Sequence, residues 1–110
     1  MKIRKDGVLE GNSESVASFS TGAKSSVGTS AVQMTSSSVK APLGVTVKAA
    51  NNNSGTVYVG SSSSVTAGTA DSTDGFELGP GESITILVDN TNKVWLIGSA
   101  AGQKVFYMVN

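Results

Sequence analysis

The residues best placed for chemistry are few, and each group is incomplete. Gly98-Ser99-Ala100-Ala101-Gly102-Gln103-Lys104 comes nearest to a phosphate-binding loop, since two glycines lead into a lysine. The spacing between its glycines is one residue short, no Ser or Thr follows Lys104, and a strand pattern follows where a helix is needed to present backbone N–H groups. The stretch therefore reads as a hairpin turn. Asp71, Asp74 and Glu77, or Asp89 with Asn90 and Asn92, offer oxygens that could ligate calcium from a turn. Neither set has the spacing of a recognised calcium loop, and Asp and Asn are ordinary turn residues. Glu77 and Glu82 flank Gly79-Pro80-Gly81 as the pair of carboxylates that glycoside hydrolysis requires, but no aromatic platform for a sugar accompanies them.

Serine and threonine are abundant, yet a nucleophilic hydroxyl needs a base. The sequence has no histidine, and its lysines stand beside turns and polar runs and not in the apolar settings that lower a lysine pKa. Cysteine is absent as well, which removes disulfides, thiolate nucleophiles and the usual zinc ligands. The expectation is a protein that is not an enzyme and that requires no metal or other cofactor.

Eight basic and eight acidic residues cancel over 110 positions, so no broad positive footprint for nucleic acid exists. The charged opening Met1-Lys2-Ile3-Arg4-Lys5-Asp6 is followed by no apolar run able to act as a signal core or to enter a bilayer. Neither nucleic acid nor membrane is the expected partner, and synthesis in the cytoplasm is expected. Lys2, Arg4 and Lys5 form a small basic cluster that could dock on an acidic groove or belong to a solvated terminus.

The elements that must position these groups are strands. From Gly44 onward apolar residues recur at every second position: Val45, Val47 and Ala49, then Val57 and Val59 with Thr56 and Tyr58 on the other face. Asn51-Asn52-Asn53-Ser54-Gly55 between them is a hairpin signal. Ser61 to Ser64 and Ala67 to Asp71 are small and polar around Val65-Thr66 and predict short edge strands, with Phe76 and Leu78 following the Asp74-Gly75 turn. Gly79-Pro80-Gly81 reverses the chain. The next strand, Glu82 to Val88, sets Ile84, Ile86 and Val88 against Ser83, Thr85 and Leu87, and its expected partner across Asp89-Asn92 is Lys93 to Gly98.

Two strands at the C-terminal end are apolar on both faces. Trp95 and Ile97 oppose Val94 and Leu96, while Phe106 and Met108 oppose Val105, Tyr107 and Val109. One face of each can enter a core and the other needs a cover, which points to a neighbouring subunit over Trp95, Ile97, Phe106 and Met108. Upstream, Ser30 to Thr35 alternates well enough for a strand, and Val39 to Leu43 begins another around Pro42. No stretch carries apolar residues at helical spacing between caps. The fold class expected is all-β, a small β-sandwich or jelly-roll-like barrel over residues 25–110, preceded by an extended, flexible arm over residues 1–24 that lacks a period.

From Ala31 onward the sequence resembles a family of small virion proteins of tailed bacteriophages. The resemblance lies in Gly44-Val45-Thr46-Val47-Lys48-Ala49, Gly55-Thr56-Val57-Tyr58-Val59-Gly60, Gly75-Phe76-Glu77-Leu78-Gly79-Pro80-Gly81-Glu82-Ser83, Val88-Asp89-Asn90, and Ile97 to Val105. It implies a head decoration or cement protein on the outside of the capsid, or a module of the tail or a fibre; a carbohydrate-binding receptor domain is a third reading. It also implies a β-sandwich or jelly-roll-like barrel that assembles on the particle, commonly as a homotrimer, with no catalytic residues. In that setting the partners are further copies of the chain and the major capsid protein or another virion protein. Lys2, Arg4 and Lys5 would then dock the arm on the capsid, and an extended arm of 24 residues spans roughly 80 Å at about 3.3 Å per residue.

Overall fold

Alternation of apolar and polar residues sets the strands and also sorts their faces. In the computed structural model, which describes residues 19–110, Val45, Val47 and Ala49 are buried while Thr46 and Lys48 between them are half-exposed. Eight strands form: β1 (Ser20–Val27), β2 (Val32–Gln33), β3 (Val45–Ala49), β4 (Val57–Gly60), β5 (Phe76–Leu78), β6 (Ser83–Ile86), β7 (Trp95–Gly98) and β8 (Gln103–Val109). One short 3-10 turn, Thr91–Lys93, precedes β7, and the Asn90 side chain caps it by accepting from the Asn92 N–H.

The strands make two four-stranded antiparallel sheets, ordered β1-β8-β3-β6 and β2-β7-β4-β5. Strand pairs nest: β4 with β5, β3 with β6, β2 with β7 and β1 with β8. That order is an eight-stranded jelly roll, a long hairpin wrapped into two facing sheets. The core between the sheets is aliphatic, with Val27, Val45, Val47, Val57, Leu96 and Val105 fully buried and Met34 and Leu78 nearly so. Each such side chain contributes about 1.5–3 kcal/mol on burial.

The sheet order corrects three expectations about turns. Asn51 to Gly55, Asp89 to Asn92 and Ala100 to Gly102 do reverse the chain, but each carries it from one sheet to the other and joins no hairpin. β6 pairs with β3, and β7 lies between β2 and β4, so the strand expected to partner Lys93 to Gly98 belongs to the opposite sheet. Gly79-Pro80-Gly81 likewise crosses between sheets. Gly81 sits at φ +84°, its N–H donates to the Ala49 carbonyl (3.0 Å), and the Glu82 carboxylate accepts from the Gly79 N–H (2.6 Å).

The boundary expected at residue 24 falls inside β1, and the rest of the expected arm, residues 1–18, lies outside the described residues. Residues 20–24 pair with 105–109 of β8, and this edge strand is built from main-chain bonds with Val27 as its one buried side chain, so it shows no alternating apolar signature. Of the strand expected at Ser30 to Thr35, Val32–Gln33 forms; around Pro42, Lys40 makes a single bridge to Asn90.

Candidate functional site

The outer faces of the two sheets separate the apolar residues that sequence grouped together. Cross-strand register places Thr21, Met108, Thr46 and Thr85 in one row, and Ala23, Phe106, Lys48 and Ser83 in the next. Phe106 and Met108 thus form the apolar centre of one outer face, in a shallow depression of about 570 Å³ between β1 and β3. Phe106 is 46% exposed, and the Lys104 ammonium lies 5.4 Å from its ring centroid, a cation–π contact that is favourable by about 0.5–1 kcal/mol at such a site.

Trp95 and Ile97 face outward from the other sheet, and there the chain supplies its own cover. Ile97, Tyr58 and Val65 are buried together, with Trp95, Ala31 and Ala67 packed against them. The loop after β4 folds back to bring Val65 over the sheet, and Gly60 makes this approach feasible because a side chain there would collide with Val65. Ile97 is 8% exposed and Trp95 half-buried, so of the four residues expected to need a neighbouring subunit, Phe106 and Met108 are the two that lie on an open face. Lys2, Arg4 and Lys5 lie outside the described residues.

Hydrogen bonds explain the carboxylates of that loop. Asp74 accepts from the hydroxyls of Thr66 and Thr69 (2.7 Å each) and from the backbone N–H groups of Thr69 (3.1 Å) and Ala70 (2.9 Å). The Thr69 hydroxyl, then the Thr66 hydroxyl, hold its carboxyl down at about 2 against the opposing effect of burial, and the two amides add smaller contributions. Asp71 accepts from the Thr73 hydroxyl and N–H, which lower its carboxyl too. Tyr58 beneath is pushed up by burial first and then by Glu77 and Asp74. These oxygens fasten a loop whose Ala70 stands at φ +62°. In the second set considered for calcium, Asp89 pairs with Lys93 (2.7 Å), and Asn90 accepts from the N–H groups of Val39 (3.0 Å) and Asn92 (3.1 Å).

The Gly98 to Lys104 stretch is a turn between sheets, organised from below by Gln103. This fully buried side chain donates to the carbonyls of Ala101 (2.9 Å) and Ala100 (3.3 Å) and to Ser54 Oγ (3.0 Å), and accepts from the Gly55 N–H (2.9 Å). Among the described residues no three His, Cys, Asp or Glu side chains gather as a metal-holding group.

A second surface escaped sequence reasoning. The open side of the sandwich between edge strands β5 and β6 is an apolar groove of about 570 Å³ lined by Val59, Phe76, Ile84, Ile86, Val88 and Val94, with Asp74 and Lys93 on its rim. Phe76 shares its face with buried Leu78, yet it is 61% exposed because no strand lies beyond β5 to cover it. Alternation gave the face correctly and carried no signal that the edge stays open. No family model matches the chain, and no curated protein or solved structure matches it.

Proposed function

We propose that the chain is a structural protein of a tailed-bacteriophage particle, a decoration or cement protein that binds the outer surface of the head as a homotrimer and stabilises the lattice of major capsid protein. The observation that carries this reading is the open sheet face centred on Phe106 and Met108, an apolar surface on a small jelly roll. Exposed apolar patches rimmed by polar residues mark protein contacts. Jelly rolls serve repeatedly as capsid modules, although the same architecture also builds lectins, so the reading draws its support from the surface and not from the fold. The sugar-binding reading draws no support from Trp95 and Tyr58, which are packed under the loop, or from Phe76 and Phe106, which stand apart, one in the groove at the β5 edge and the other on the outer face of the opposite sheet.

The test is to mix purified protein with phage heads that lack it and to follow co-sedimentation and the temperature at which heads release DNA. Saturable binding at a fixed ratio to capsid subunits, with a higher release temperature, is expected. Binding to isolated tails and not to heads would replace this reading by that of a tail or fibre adaptor, and binding to neither would overturn both.

A further inference from the structure

Charge is balanced along the sequence, but folding separates the signs. On the outer face of the β1-β8-β3-β6 sheet the charged side chains are Lys48 and Lys104, flanking Phe106, and the remaining outward positions of the paired rows are Thr, Ser, Ala and Met. No carboxylate stands in those rows. Asp71, Asp74 and Glu77 stand instead on edge strand β5 and the loop leading into it: Asp74 lines the apolar groove that holds Phe76, Asp71 lies close to Asp74 in the loop, and Glu77 projects from the outer face of β5 beside Tyr58. The lysine bordering that groove, Lys93, is paired with Asp89 at 2.7 Å, so it does not offset the acidic group.

We propose that the Phe106 face of one copy seats on the acidic β5 edge of a second copy, so that subunits join head to tail through two unlike surfaces. This inference rests on the reading of the chain as a homo-oligomer and names the two halves of its interface. Complementary potentials select partner and orientation, because pairing like faces would bring lysines against lysines or carboxylates against carboxylates. The apolar parts agree with the charges: Phe106 and Met108 project from the basic face, and the groove around Phe76 receives them. The acidic surface lies at an edge of the sandwich and not squarely opposite the basic face. The two surfaces are therefore inclined to each other, and a heterologous contact of that kind gives a closed ring where its rotation returns to the first subunit and an open filament where it does not.

Charge reversal distinguishes this arrangement from the pairing of like faces. Light scattering and sedimentation would be run on the wild-type chain, on Lys48→Glu/Lys104→Glu, on Asp71→Lys/Glu77→Lys and on the quadruple variant, with circular dichroism melts confirming that each is folded. Both double variants should fall to monomer mass and the quadruple variant should return to the wild-type mass. Phe106→Ser, an exposed position that leaves the core intact, should also dissociate the assembly and probes the same interface should a charge variant fail to fold. A wild-type chain that is monomeric at tens of micromolar would end the oligomer reading itself. A wild-type oligomer whose mass survives Asp71→Lys/Glu77→Lys would leave that reading standing and overturn the head-to-tail interface.

Discussion

The ring of Tyr107 fills the place where Gly22, its cross-strand partner, would carry a side chain. Tyr107 faces inward from β8 and packs against the aliphatic core, so the glycine lets an edge strand close over an aromatic ring that would otherwise hold it off. Gly22→Val forces the ring out of its position. Overpacking of this kind costs about 1–3 kcal/mol, measured as a lower urea midpoint at unchanged slope. Gly28→Ala, where the nearest atom to an added carbon is 4.0 Å away, should change the midpoint little. Tyr107→Leu in the Gly22→Val background should recover part of the loss, as expected for two contacting positions.

Gln103 predicts a different kind of failure. Gln103→Leu keeps the volume but strands the Gly55 N–H and the carbonyls of Ala100 and Ala101, which the buried amide now satisfies. A buried polar group without its partner costs about 1–3 kcal/mol. Hydrogen exchange should accelerate at Gly55 well before it does in the central strands, marking a local loosening of the turn.

Asp74 makes the loop over Trp95 sensitive to acid. Its carboxyl titrates at about 2 in the folded chain against an ordinary 3.8, so its bonds add to stability fully above pH 3.8 and lose that contribution as pH falls through 2. Trp95, the one tryptophan of the sequence, lies in the cluster that this loop covers. Its emission should shift to the red between about pH 4 and pH 2. Asp74→Asn should show the shifted emission already at neutral pH and a flatter acid profile; unchanged neutral emission in that variant would contradict the loop-fastening role.

Much of this was legible because side-chain alternation is local. Val45, Val47 and Ala49, the split of Trp95 and Ile97 from Val94 and Leu96, and that of Phe106 and Met108 from Val105 and Tyr107 all follow from a period of two. Strand partners are not local, and a turn such as Asp89 to Asn92 looks the same whether it closes a hairpin or crosses between sheets. β1 left no trace because an edge strand with Gly22 under an aromatic ring and Lys24 on its inward side has no apolar rhythm to show. The cover over Ile97 was hidden for a related reason: Val65, helped by Ala67 and Ala31, does the covering from within small polar runs, and Gly60 leaves the room it needs.

Nested pairing also orders the chain in time. Tyr58 finds Glu77 across a short loop, Val47 finds Ile84 across a longer one, and Ser20 must wait for Val109. Closing a loop costs more entropy the longer it is, and high contact order places such topologies among the slow folders, in milliseconds to seconds. Assembly is therefore expected to zip outward from the β4-β5 pair. On the ribosome β1 emerges before its partner and stays without a mate until β8 has been made. Until then its main-chain groups have no partner strand, the condition in which an edge is open to pairing with another chain, and the arrival of β8 ends it.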